Sequence, residues 1–103
     1  MLKLLFAALA AAIVASSPAV AGEAAKLKCK TAHYNDGVIA QYKCNGDYKV
    51  SLRGYPDQTG KYTLKGDRVC VDFQSGKRRC DTVLPGNKLR SKGGMVFTFT
   101  LRP

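Results

Sequence analysis

The stretch Gly60–Cys80, GKYTLKGDRVCVDFQSGKRRC, reads as three β-strands joined by two tight turns. Gly66-Asp67 is a glycine-led dipeptide, and glycine supplies the positive φ that lets a two-residue hairpin match the right-handed twist of its strands. Counting outward, Leu64 faces Val69 and Tyr62 faces Val71, while Lys61, Thr63 and Lys65 fall on the other side. A period of two is the pattern of a half-buried antiparallel pair. The second turn, Gln74-Ser75-Gly76, fits a three-residue loop with Gly76 in the left-handed position. That register sets Cys70 directly across from Cys80, within reach of a disulfide. A two-residue Ser75-Gly76 turn competes with it and would offset the cysteines by one position; the register that pairs them is the one we expect.

Upstream, Cys29 and Cys44 flank KTAHYNDGVIAQYK, whose centre Asp36-Gly37 is a two-residue hairpin signal. With Asn35 opposite Val38, the count sets Cys29 opposite Cys44. The two turns together predict the pairing Cys29–Cys44 and Cys70–Cys80. A zinc site is the alternative use of four cysteines, but neither pair has the close spacing such sites favour. After an Asn45-Gly46 turn, Tyr48, Val50 and Leu52 alternate with Lys49, Ser51 and Arg53, and GYPDQTG (Gly54–Gly60) reads as the longest irregular stretch. Beyond Cys80, Thr82–Leu84, the turn Pro85-Gly86-Asn87, Lys88–Ser91 and the turn Gly93-Gly94 lead into a last strand. There Met95, Phe97, Phe99 and Leu101 alternate with Val96, Thr98, Thr100 and Arg102. After residue 21 no helical periodicity is visible. The fold expected is all-β, a small antiparallel meander of about eight strands with two hairpin disulfides, closed or rolled into a barrel because closure removes exposed edges.

Residues 1–21 carry one basic residue, Lys3, then the apolar run LLFAALAAAIVA and the small-residue ending AVA before Gly22. This is the pattern of a secretory signal peptide, and the apolar run is shorter than a bilayer-spanning helix requires. Residues 22–103 then form a single small β domain with no transmembrane segment. Its export is consistent with a cysteine-rich chain too small to rely on its apolar core alone. The expected location is periplasmic or secreted.

The motif Gly60-Lys61-Tyr62, Gly66-Asp67-Arg68-Val69-Cys70, Gly76 and Cys80, with the preceding Asn35-Asp36-Gly37, resembles a loose group of small exported proteobacterial all-β proteins of uncharacterised function. The group pattern is Gly-x-aromatic, Gly-Asp-x-x-Cys, a glycine turn and a second Cys. The aromatic is often Trp there, and this chain has none. The resemblance implies an exported all-β domain with a hairpin disulfide, and no activity.

The inventory for chemistry is thin. His33 is the only histidine, and the sequence sets neither a nucleophile nor an orienting carboxylate beside it. Ser51, Ser75 and Ser91 fall on an outward face or in turns, and no paired carboxylates suggest acid–base work. The expectation is therefore a protein that is not an enzyme, with no catalytic residue, no metal and no cofactor. What stands out is charge, +10 over the whole chain and +9 once Lys3 leaves with residues 1–21. A positive field of that size draws in anionic polymers and surfaces. Lys26, Lys28 and Lys30 alternate along an expected first strand, frayed at the N-terminus. Lys77, Arg78 and Arg79 with Lys88, Arg90 and Lys92 occupy neighbouring hairpin strands and are the expected ligand-binding residues. Between Lys77 and Asp81 both faces carry charge. The strand reads either as an edge or bulged strand with inward-leaning charges or as a basic ligand-contact strand. The expected partner is an anionic envelope polymer or polysaccharide such as lipopolysaccharide. A protein partner is the alternative, with the chain acting as a periplasmic inhibitor of an acidic hydrolase or toxin. Nucleic acid is the weaker expectation, since no RNP-like motif is present.

Overall fold

The computed structural model describes residues 22–103; the signal-peptide expectation lies outside them. A short 3-10 turn (Glu23–Leu27) precedes eight strands: β1 (Thr31–Tyr34), β2 (Ile39–Tyr42), β3 (Asp47–Leu52), β4 (Tyr55–Lys65), β5 (Arg68–Phe73), β6 (Arg78–Leu84), β7 (Lys88–Arg90) and β8 (Val96–Arg102). Each strand pairs antiparallel with the next, and β8 pairs with β1 to close the barrel. The fold is the all-β meander expected, with both disulfides in place: Cys29–Cys44 with Cα atoms 4.3 Å apart and Cys70–Cys80 at 4.0 Å. All four cysteines are consumed, which removes the zinc alternative.

The central hairpins form as their turns dictate. Leu64 opposes Val69 and Tyr62 opposes Val71 across a turn whose Gly66 has φ 62°. Cys70 opposes Cys80, and the Phe73 N–H donates to the Lys77 carbonyl at 2.8 Å around Gly76 at φ 99°.

The first hairpin differs from expectation by one residue. Thr31 opposes Gln41 and His33 opposes Ile39, so the loop is Asn35-Asp36-Gly37 and not Asp36-Gly37 alone. A two-residue turn of this class needs positive φ at both central residues, and here only Gly37, at 96°, has it. The Asp36 carboxylate instead accepts from the Val38 N–H at 3.1 Å, holding a three-residue loop. The ladder therefore stops short of the cysteines. Cys29 turns out of it at φ 64°, and the Cys29–Cys44 link clasps the chain just beyond the paired strands.

Two further expectations are corrected. Lys26, Lys28 and Lys30 do not lie along a frayed strand. Ala24 and Leu27, three apart, occupy one face of the 3-10 turn and are fully buried, and that period of three overrides the alternation of lysines. The Ala24 N–H donates to the Gly66 carbonyl at 3.1 Å, and Lys26 reaches the Asn87 side chain at 3.2 Å. The turn thus plugs the end of the barrel that carries the β4–β5 and β6–β7 connections. Gly54–Gly60 is not an irregular loop either. A tight Arg53-Gly54 turn sets Leu52 opposite Tyr55, and β4 starts there. Pro56 is tolerated because residues 55–59 pair with β3 alone and adjoin a bulge. At Gly60 and Lys61 β4 pairs with β3 and β5 at once, and a Cβ at Gly60 would lie 2.2 Å from the Asp72 carbonyl oxygen. Only glycine lets the strands cross so closely.

The inward face of the strands forms the core. Tyr62, Tyr42, Tyr48 and Phe73 run through it as a relay of tilted and edge-on rings, with centroids 5.2, 5.2 and 5.8 Å apart in turn. Val69, Val71, Val83 and Leu89 fill the wall beside them.

Candidate binding site at the open end of the barrel

β6 is the strand whose two faces could not be assigned from its charges. Arg79 opposes Val71 and Asp81 opposes Val69, both buried valines. Opposed residues share a face, so Arg79 and Asp81 project inward and Arg78 projects outward. The strand is regular and carries Arg79 and Asp81 inside the barrel mouth. Its pairing with β7 starts only at Thr82, because β7 is three residues long. From Arg78 to Asp81 the β7 side of β6 has no ladder partner among the described residues, which leaves a slot in the barrel wall.

Inside the slot, the Arg79 Nε donates to Asp81 Oδ2 at 2.7 Å. Asp81 is 8% exposed, and its other carboxylate oxygen, Oδ1, is buried with no hydrogen-bond partner among the described residues. Native folds leave few such groups. The Tyr34 and Tyr42 hydroxyls lie 3.1 Å apart, and Tyr48 stands beside them. Burial pushes all three phenols above their ordinary range, so each keeps its proton and acts as a neutral hydrogen-bonding group. These side chains line a cavity of about 110 Å³, together with Val50, Val71 and Phe97. Its rim includes the loop residue Asp36, at the end opposite the 3-10 plug.

Outside the slot lies a second, larger concavity of about 860 Å³, lined by Arg68, Arg78, Arg79, Arg90 and Lys92, with the exposed Met95 on its edge. Arg79, Asp81 and Phe97 belong to both spaces. Arg78 donates to both oxygens of Asp72, at 2.8 Å each. Among the described residues Arg68, Arg90 and Lys92 form no ion pair, so the concavity holds uncompensated positive charge.

Of the six residues expected at a ligand surface, Arg78, Arg79, Arg90 and Lys92 converge here. Lys77 and Lys88 do not. Lys77 lines a separate shallow depression with Asp57, Thr59 and Gln74. Lys88 opposes Leu84 and Thr98, so the β6–β7 turn does not bring it beside Arg78 and Arg79. It lies six β6 positions from Arg78, on the order of 20 Å at about 3.4 Å per residue. Arg68 was missed, yet the signal was present. With Cys70 opposite Cys80, Arg68 must oppose Thr82, which opposes Arg90, so the three lie in one row. Asp81 was missed as a site residue because its value comes from the cavity and not from its place in sequence.

Comparison with family models, with curated proteins and with solved structures finds no match to this chain. Among the described residues no cluster of three or more His, Cys, Asp or Glu side chains could hold a metal ion, and no helix is long and apolar enough to cross a membrane.

Proposed function

We propose that this is an exported, non-enzymatic binding protein of the bacterial envelope, and that it holds the phosphate or carboxylate groups of an anionic polymer, lipopolysaccharide or an acidic polysaccharide, in its arginine-lined concavity. The observation that carries this reading is the convergence of Arg68, Arg90 and Lys92, none of them ion-paired among the described residues, on one surface with Arg78 and Arg79. Arginine presents a planar fork that matches phosphate and carboxylate oxygens. Clustered like charges on a small barrel repel one another, and an anionic partner relieves that repulsion. Two disulfides fit an oxidising compartment, as does the signal-like character of residues 1–21. Lys77 and Lys88 then contribute to the long-range field that speeds encounter rather than to contact.

Amide chemical-shift mapping with an acidic polysaccharide tests the reading. Perturbations centred on Arg68, Arg78–Thr82 and Arg90–Met95 support it, and perturbations centred on Lys77 or Lys88, or none at low salt, contradict it.

The exposed Met95 beside the arginines, at 63%, favours a second reading in which the same face docks on an acidic protein, such as a hydrolase or toxin that the chain inhibits. Arg and Met are enriched at protein interfaces. A packed interface responds less to salt than a polyanion complex does.

A further inference from the structure

The small cavity inside the slot has a chemistry that the outer concavity does not need. A surface that only attracts polyanions gains nothing from a buried carboxylate, yet Asp81 stands at the junction of the two spaces with Oδ1 unpartnered. That oxygen calls for a donor, and the surroundings select which kind. Arg79 already supplies a full positive charge to Oδ2, so an ammonium group brought to Oδ1 would meet the guanidinium. A hydroxyl satisfies the oxygen without adding charge. The Tyr34 and Tyr42 hydroxyls, kept neutral by burial, can accept from or donate to a second hydroxyl.

Size narrows the choice further. An apolar cavity of about 150 Å³ holds the six carbons of a benzene, so a space of about 110 Å³ takes about six non-hydrogen atoms or fewer. A three-carbon polyol meets the limit, whereas a whole sugar ring exceeds it. Arg79 uses Nε on Asp81, which leaves its terminal Nη groups for an anion on the outer side. A polyol seated against Asp81 therefore carries its attached anion straight into the arginine concavity.

We infer that the two spaces form one composite site for a small phosphorylated polyol of the glycerol phosphate class, with its hydroxylated end on Asp81 and the tyrosines and its phosphate among Arg79, Arg78 and Arg90. This inference rests on the reading of the outer concavity as an anion site. The phosphorylated polyol can be a soluble ester, a unit of a polymer, or the headgroup of an anionic lipid.

The experiment measures binding of glycerol 3-phosphate, inorganic phosphate and an acidic polysaccharide to the protein and to two variants, Asp81→Asn and Val50→Phe. The first removes the acceptor charge; the second fills the cavity and leaves Asp81 intact, which guards against misfolding of the first. Glycerol 3-phosphate is expected to bind at least tenfold more tightly than inorganic phosphate and to shift the ring resonances of Tyr42 and Tyr48, which inorganic phosphate leaves in place. Each variant should abolish that tenfold preference, and Val50→Phe, which lies outside the outer concavity, should retain polysaccharide binding. Equal affinity for the two small anions, or a preference untouched by both variants, overturns the composite site while the polysaccharide result leaves the outer site standing. Failure of all three ligands to bind at low salt overturns both. Vesicles of phosphatidylglycerol and of phosphatidylserine, equal in charge, identify the source: selective binding to the first assigns a lipid headgroup, and equal binding assigns a soluble or polymer-borne ester.

Discussion

At residue scale the barrel depends on positions where a single atom decides the packing. Gly60 sits where β4 begins to pair with β5, and a Cβ there would come within 2.2 Å of the Asp72 carbonyl oxygen and 2.8 Å of the Phe73 Cα. Both obstacles are backbone, so the strands must separate to admit it. Gly60→Ala should cost about 2 kcal/mol or more, read as a lowered denaturation midpoint with unchanged slope; a variant as stable as the parent would contradict the close crossing. Leu27 is fully buried at the plugged end, and Leu27→Ala should cost about 2–5 kcal/mol, which no surface residue of a frayed strand could do. The sequence displayed Gly60 as a loop residue because it closes GYPDQTG, four residues after Pro56, a composition shared by turns and by strained strand crossings. Arg79 and Asp81 were in principle legible as inward residues, since the register that pairs Cys70 with Cys80 sets them opposite Val71 and Val69. Charge argued against it, because a barrel interior that accepts an ion pair shows only in the assembled mouth.

At element scale the hairpins were the most legible part, with one instructive departure. The Gly66-Asp67 and Gln74-Ser75-Gly76 turns gave their registers directly. The first hairpin gained one loop residue, since Asp36 uses its side chain to hold Val38 and keeps φ negative. The pairing Cys29–Cys44 survived that shift because neither cysteine belongs to the ladder. This location gives the link a separate task, which is to hold the 3-10 plug against the barrel. The two links join cysteines 15 and 10 residues apart, and chain-entropy estimates give each about 3 kcal/mol. Replacing Cys29 and Cys44 with Ser should strip hydrogen-exchange protection from the Ala24 amide, which bonds to Gly66, before it affects the β5–β6 ladder. Replacing Cys70 and Cys80 should weaken that ladder first. Simultaneous loss of protection in both variants would show that the plug has no independent stability.

At the scale of the whole molecule the relevant terms are proton binding and charge. Tyr34, Tyr42 and Tyr48 are held above their ordinary range mainly by burial, so the folded barrel holds their protons more tightly than the unfolded chain does. Stability is then full below about pH 10 and declines as pH rises past it, by up to about 1.4 kcal/mol per pH unit for each phenol. The tyrosinate absorbance of these three phenols should rise together with loss of far-ultraviolet dichroism in alkaline titration. Ionisation of the buried phenols with the barrel intact would contradict their burial. The charge of +10 was the plainest feature of the sequence. Its division into a contact group and a diffuse remainder depends on the barrel register and could not be counted from composition.

The most direct test of the binding account is the salt dependence of affinity for lipopolysaccharide or an acidic polysaccharide, compared between the parent, Arg68→Gln/Arg90→Gln/Lys92→Gln, and the control Lys77→Gln/Lys88→Gln. The parent should bind at low salt and weaken steeply as ions screen the contacts. The triple variant should bind at least tenfold less tightly with a flatter salt response, and the control should stay within a few-fold of the parent. A parent with no affinity at low salt, or a triple variant indistinguishable from the control, would contradict the assignment of the arginine concavity as the site.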